Sequence, residues 1–100
     1  MDDFNWLINW FKSNCDGDWE HQYGIKIGTL DNPGWRLSIS LSDTPLKNVP
    51  FTKIAIERSE NDWIYCYIEN ERFEAACGLN NLPEGIKTFR DWAIKCQENH

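Results

Sequence analysis

Residues Tyr23–Leu41 read YGIKIGTLDNPGWRLSISL, two alternating runs joined by Asp31-Asn32-Pro33-Gly34. In the first run Tyr23, Ile25, Ile27 and Thr29 share one face, with Lys26 on the other. In the second, Trp35, Leu37, Ile39 and Leu41 oppose Arg36, Ser38 and Ser40. Alternation with a period of two marks half-buried strands. Proline presets the backbone at the second turn position, and glycine is expected to take positive φ at the third. The stretch therefore predicts a hairpin with one face turned to a core, and makes a sheet the frame of the fold.

Working outward, the segment before the hairpin is CDGDWEH, Cys15–His21, a charged loop carrying Asp16, Asp18 and Glu20. Residues 2–14 read as a helix, because Phe4, Leu7, Ile8 and Phe11 follow the spacing of a buried stripe. Trp6 and Trp10 flank that stripe and are expected to widen it. Asp2 and Asp3 suit the helix start, and Asp16-Gly17 is a stop signal. After the hairpin, residues 42–50 form a loop with two prolines. Phe51–Arg58 predicts a third strand with Ile54 and Ile56 inward. Glu60-Asn61-Asp62 is a turn, and Trp63–Glu69 predicts a fourth strand.

Both faces of that fourth strand are apolar: Trp63, Tyr65 and Tyr67 against Ile64, Cys66 and Ile68. One face is expected to meet the helices and the aromatic face a loop or a partner. Phe73–Asn81 reads as irregular. A closing helix starts near Pro83 and buries Leu82, Ile86, Phe89, Ala93 and Cys96, with Gly85 weakening its first turn modestly. The expected architecture is one α+β domain over residues 1–100. It is a four-stranded, mainly antiparallel sheet flanked by an N-terminal and a C-terminal helix (α-β-β-β-β-α), both helices on one face.

The net charge is −6 and the ten basic residues are scattered. That argues against direct nucleic-acid binding, which needs clustered Lys and Arg. An acidic surface instead steers a basic partner. Six tryptophans serve as core fillers or as interface anchors. The four cysteines lie far apart without a CxxC pair, the opening MDDFNW lacks a basic signal-peptide start, and no apolar run reaches membrane-spanning length. These features predict a cytoplasmic protein with reduced thiols, away from membranes.

Catalytic readings fail on spacing. Cys15, Asp16, Asp18, Glu20 and His21 include metal-ligand types, yet they lack the paired spacing of zinc sites and the pattern of a calcium loop. Cys15 and His21 are the components of a thiol nucleophile, but neighbouring carboxylates would raise the thiol pKa. Three acids on one loop are not the two opposed carboxylates of a glycosidase. No phosphate-cradling glycine loop is present. A binding protein without cofactor or metal is the expectation. The loop can offer carboxylates to Lys or Arg of a partner. Its internal reading is that Asp16 or Asp18 caps the turn and Trp19 plugs the sheet.

Several pieces of the chain resemble the Imm53 family of immunity proteins from bacterial polymorphic toxin systems. They are Trp6-Leu7, Trp10-Phe11, CDGDWEHQYGIKIGTLDNPGW (Cys15–Trp35), Asp62-Trp63 with Cys66, the Phe73 region, Asn81-Leu82, and Phe89 with Trp92. One departure is Ala76-Cys77-Gly78-Leu79, where the family pattern suggests a turn richer in glycine and proline. The resemblance implies a cytoplasmic, non-enzymatic protein that binds and neutralises a cognate toxin domain. An acidic inhibitor suits a toxin with a basic cleft, such as a nuclease, by occluding that cleft. The expected contact residues are Asp16, Asp18, Trp19, Glu20, His21, Glu60, Asp62, Tyr65, Tyr67 and Glu69, on a monomer or weak dimer. The alternatives are a thiol-dependent, sulfurtransferase-like enzyme using Cys15 and a generic protein-interaction module.

Overall fold

The computed structural model describes residues 2–98. In chain order the elements are α1 (Asp3–Asn14), α2 (Trp19–Gln22), β1 (Ile25–Leu30), β2 (Gly34–Ser40), β3 (Ile54–Ser59), β4 (Asp62–Glu69), β5 (Arg72–Cys77) and α3 (Leu82–Glu98). The strands form one antiparallel sheet in the order β1-β2-β5-β4-β3. The class is α+β, as expected, but the sheet has five strands rather than four.

The added strand, β5, occupies the centre of the sheet, where an irregular segment was expected. Phe73, Ala75 and Cys77 are fully buried and alternate with Arg72, Glu74 and Ala76. Small residues have weak strand propensity, so this run looks like a turn in isolation. They are small because α3 lies directly above. A Cβ on Gly85 would stand 3.6 Å from the Ala75 Cβ.

Both long helices cover one face of the sheet. Their core joins Leu7, Trp10, Leu37, Ile39, Ile64, Cys66, Phe73, Ile86, Phe89 and Ala93. Helix α1 starts where expected, with the Asp2 carboxylate accepting from the Asn5 N–H at 2.7 Å. Its buried face is turned from the expected stripe. Leu7 and Trp10 are buried, while Phe4 and Ile8 remain 52% and 46% exposed. The cause is packing on α3: the Trp6 and Trp10 rings meet Phe89 edge-on at 6.0 and 5.0 Å. This draws the tryptophans inward and leaves Phe4 and Ile8 beside the β1 edge.

Two further expectations are corrected. Gly34 does not take positive φ; it begins β2, paired with Leu30 across a turn of residues 31–33. What it supplies is closeness, since a Cβ there would lie 2.3 Å from the Cys77 carbonyl oxygen. Strand β3 begins at Ile54, not Phe51. The Phe51 ring instead fills the core edge-on to Phe73 and Trp92, both at 5.4 Å, and Trp92 Nε1 donates to the Pro50 carbonyl.

Candidate functional site

The acidic loop is built inward. Gly17 takes φ 97°, reversing the chain after α1. One Asp16 carboxylate oxygen accepts from the Asp18 and Trp19 N–H groups, both at 2.9 Å. The two Glu20 oxygens accept from the Asp16 and Gly17 N–H groups at 3.0 and 2.9 Å. Hydrogen bonds to a carboxylate favour its charged form. The Trp19 and Asp18 N–H groups hold Asp16 below the usual range, and Glu20 is lowered by its own backbone N–H and those of Asp16 and Gly17. Both are exposed, but their oxygens organise the loop. Trp19, expected among the contact residues, is 4% exposed. Its ring packs against Trp10, Phe11 and Tyr23, and Nε1 donates to the Ser42 carbonyl. Burial removes this ring from the reach of a partner. Asp18 and His21 are exposed at this corner.

Asp62 is also turned away from the aromatic strip. It projects to the helix side, where it receives Asn81 Nδ2 at 2.9 Å and Arg58 at 2.8 Å. Arg58 reaches on to Glu84 at 2.8 Å, tying the β3–β4 turn to the start of α3. Asn81 holds the Asp62 pKa down, reinforced by Arg58, and Arg58 does the same for Glu84. Glu60 remains exposed in the turn itself.

Among the described residues, no helix covers the other face of the sheet. The register places Trp63, Tyr65 and Tyr67 of β4 there, beside Ala55 and Glu57 of β3 and Glu74 and Ala76 of β5. All three rings are half-buried. Trp63 and Tyr65 lie 5.4 Å apart, and the Tyr65 hydroxyl donates to Glu57. A groove of about 490 Å³ runs beside them, lined by Asn32, Glu57, Arg58, Ser59, Glu60, Trp63 and Tyr65.

Toward β2 this face becomes polar. Arg72 donates to the Ser38 and Ser40 hydroxyls, Ser38 donates to Glu74, and Arg36 pairs with Glu74 at 3.4 Å. Strand residues on the face include cationic Lys26, Arg36 and Arg72 and acidic Glu57, Glu69 and Glu74. The face is therefore charge-balanced and polarised, basic toward β1 and acidic toward β3. Sequence reasoning set Arg36 on the face away from the core, but missed Arg72 and Glu74 as its neighbours there. The available signal was the Arg72-Phe73-Glu74-Ala75 alternation.

The expected contact residues thus do not converge. Asp16, Asp18, Glu20 and His21 sit at the α1–α2 corner. Glu60 lies at the opposite end of the sheet. Tyr65, Tyr67 and Glu69 lie on the helix-free face. Asp62 and Glu69 end the same strand, seven residues and about 23 Å apart.

Over residues 4–94 the sequence matches the family described as Imm53, immunity protein 53. The chain belongs to this family. No curated protein and no solved structure matches it. Membership carries an immunity role against a toxin, in line with the resemblance borne by Trp6-Leu7, Cys15–Trp35 and Phe89 with Trp92.

Three of the four thiols, Cys15, Cys66 and Cys77, lie where the thiolate is disfavoured. Cys15 Sγ donates to the Phe11 carbonyl, and its pKa is raised by burial and by the nearby Glu20 and Asp16 charges. Burial pushes Cys66 up to about 12 and Cys77 to about 11. Thiolates form at positively charged sites, the reverse of these surroundings. Among the described residues, no three His, Cys, Asp or Glu side chains gather to hold a metal, and no helix is long and apolar enough to cross a membrane.

Proposed function

We propose that this protein neutralises a cognate toxin domain in the cytoplasm by laying the helix-free sheet face over the toxin's active cleft. The observation that carries the reading is a half-exposed strip, Trp63, Tyr65 and Tyr67, on an uncovered sheet in a chain of the immunity protein 53 family. Tyrosine and tryptophan are the residue types that dominate interface energies, because they bury much area at little entropic cost. Glu57, Glu60 and Glu69 rim the strip and Asp18 lies at the α1–α2 corner. With the overall charge of −6 they steer a basic toxin toward it. A nuclease fits that charge, since its cleft must hold phosphate. Direct nucleic-acid binding is not expected of the protein itself, because Glu74 engages both Arg36 and Arg72 on this face.

Calorimetry against a catalytically inactive form of the toxin domain encoded alongside tests this. Replacing Tyr65 and Tyr67 together by alanine is expected to weaken binding by about 30-fold or more, the scale of a central hot spot of at least ~2 kcal/mol. Charge reversal at Glu57 and Glu60 is expected to slow association at low salt and to matter little at high salt. Unchanged affinity in the double tyrosine variant would move the interface off this face.

A further inference from the structure

The two edges of the sheet are treated differently. On the β3 edge the register shifts between Glu57 and Ser59, and charged Lys53, Glu57, Arg58 and Glu60 crowd the strand. A bulge and charges are the usual means of blunting an edge against pairing. The β1 edge, Ile25-Lys26-Ile27-Gly28-Thr29-Leu30, has neither proline nor bulge, and only one charge. Its free backbone groups can be assigned. The Ser40 N–H donates to the Gly24 carbonyl, so the even-numbered residues of β1 bond to β2. The Leu41 N–H donates to the Glu71 carbonyl, so the odd residues of β2 bond to β5, as this phase requires. The N–H and C=O groups of Ile25, Ile27 and Thr29 therefore point to open solvent.

Beside this edge lies the apolar ground that α1 leaves uncovered. Phe4 is 52%, Ile8 46% and Ile27 41% exposed, and together with Leu7, Phe11 and Ile25 they line a depression of about 260 Å³. An open strand edge and an exposed apolar strip share one border of the molecule.

We infer that this border is where a second copy of the chain docks, β1 against β1 across a two-fold axis at Ile27. A two-fold normal to the sheet keeps each side chain on its own face and sets Ile27 opposite Ile27 of the second copy, as a hydrogen-bonded pair. Ile25 then faces Thr29, and Lys26 faces Gly28. The edge is self-complementary: no like charges meet, the outward backbone groups find partners, and the Phe4, Ile8 and Ile27 strips of the two copies join on the helix side. The interface is small. Three half-exposed apolar side chains and one strand edge fall short of the roughly 800 Å² per partner of a standard stable interface. The dimer is accordingly weak, with a Kd on the order of tens of micromolar, and it leaves Tyr65 and Tyr67 free. It does not depend on the toxin reading.

Sedimentation velocity on the full chain from about 5 to 500 μM tests it. A reversible monomer–dimer equilibrium is expected. Ile27→Lys places two ammonium groups face to face on the axis and should abolish it. Gly28 reports the register, because its Cβ direction is open and its φ is ordinary. Gly28→Glu creates two cross-strand pairs with Lys26 and should tighten the dimer about fivefold, while Gly28→Lys should loosen it about as much. A monomer at every concentration would overturn the inference. So would a dimer indifferent to the charge at position 28. A monomer whose toxin affinity falls in Ile27→Lys would overturn it too, and assign the edge to a strand of the toxin.

Discussion

Gly34 offers a test in which two physical readings give opposite orders of variants. As a turn glycine needing positive φ, it would be replaced best by asparagine, which tolerates that conformation. As a glycine of close approach, any side chain is excluded alike. In the structure a Cβ at this position would be 2.3 Å from the Cys77 carbonyl oxygen. The closest ordinary carbon–oxygen contacts between strands are about 3.3 Å, so β2 and β5 would have to separate there by roughly 1 Å. Overpacking of this kind costs about 1–3 kcal/mol, and each disturbed backbone hydrogen bond adds about 1 kcal/mol. Gly34→Ala should therefore lose about 2–4 kcal/mol, lowering Tm by some 10–25 °C in a domain of this size. Gly34→Asn should be no better. The assay is urea unfolding followed by tryptophan fluorescence, with thermal melts alongside. A loss under about 0.5 kcal/mol for alanine, or a clear advantage of asparagine over alanine, would refute the close-packing argument.

Gly85→Ala should act in the opposite direction: the added methyl finds ordinary contact with Ala75 and Ile64, and the helix gains about 0.5–1 kcal/mol, seen as a raised Tm. Phe73→Ala removes a fully buried ring at the meeting point of Phe51, Phe89 and Trp92 and should cost about 3–5 kcal/mol by chemical unfolding. Asp16, Glu20, Asp62 and Glu84 all have lowered pKa values in the folded chain, so their stabilisation is complete above their unfolded values and fades as pH drops through the folded ones. Melts should hold steady near neutrality and fall below about pH 4, less steeply in Arg58→Met, which removes the main partner of Glu84 and one of the two partners of Asp62 while Asn81 stays bonded to both. A disulfide reagent at pH 8 should leave Cys66 and Cys77 unmodified and react with Cys15 more slowly than with a free thiol; a fast Cys15 would reopen the thiol-enzyme reading.

The hairpin of β1 and β2 and the closing helix were legible because each repeats a period long enough to outweigh local composition. β5 was not. Its Ala75 and Cys77 are small to admit α3, a demand set by a helix that arrives later in the chain. The face of α1 was misjudged for a related reason. A hydrophobic stripe says that some face is buried, but not whether a sheet or another helix buries it, and the large tryptophans won the position against α3. Charge was the least legible property. Asp16, Glu20 and Asp62 look like an offering to a partner in sequence, yet their oxygens serve N–H groups and a guanidinium of the same chain.

This last point bears on where a toxin would be met. The residues that carry the family resemblance are mostly scaffold. Trp10, Trp19, Cys66, Phe73 and Phe89 are buried, Asp16 organises a turn, Gly34 admits a neighbouring carbonyl, and Asn81 bridges Asp62 to Glu84. Trp35 likewise spends its Nε1 on the Leu79 carbonyl. An immunity protein keeps its fold while its contact surface follows a changing toxin, so the signature and the interface should separate on the molecule. Of the strip, Trp63 belongs to the quoted motifs, whereas Tyr65 and Tyr67 satisfy that condition. They lie outside the quoted motifs, on the sheet face that no helix covers, on a strand whose opposite side is anchored by Ile64 and Cys66. A rigid strand presenting replaceable side chains allows the contacts to change while the core beneath them stays the same.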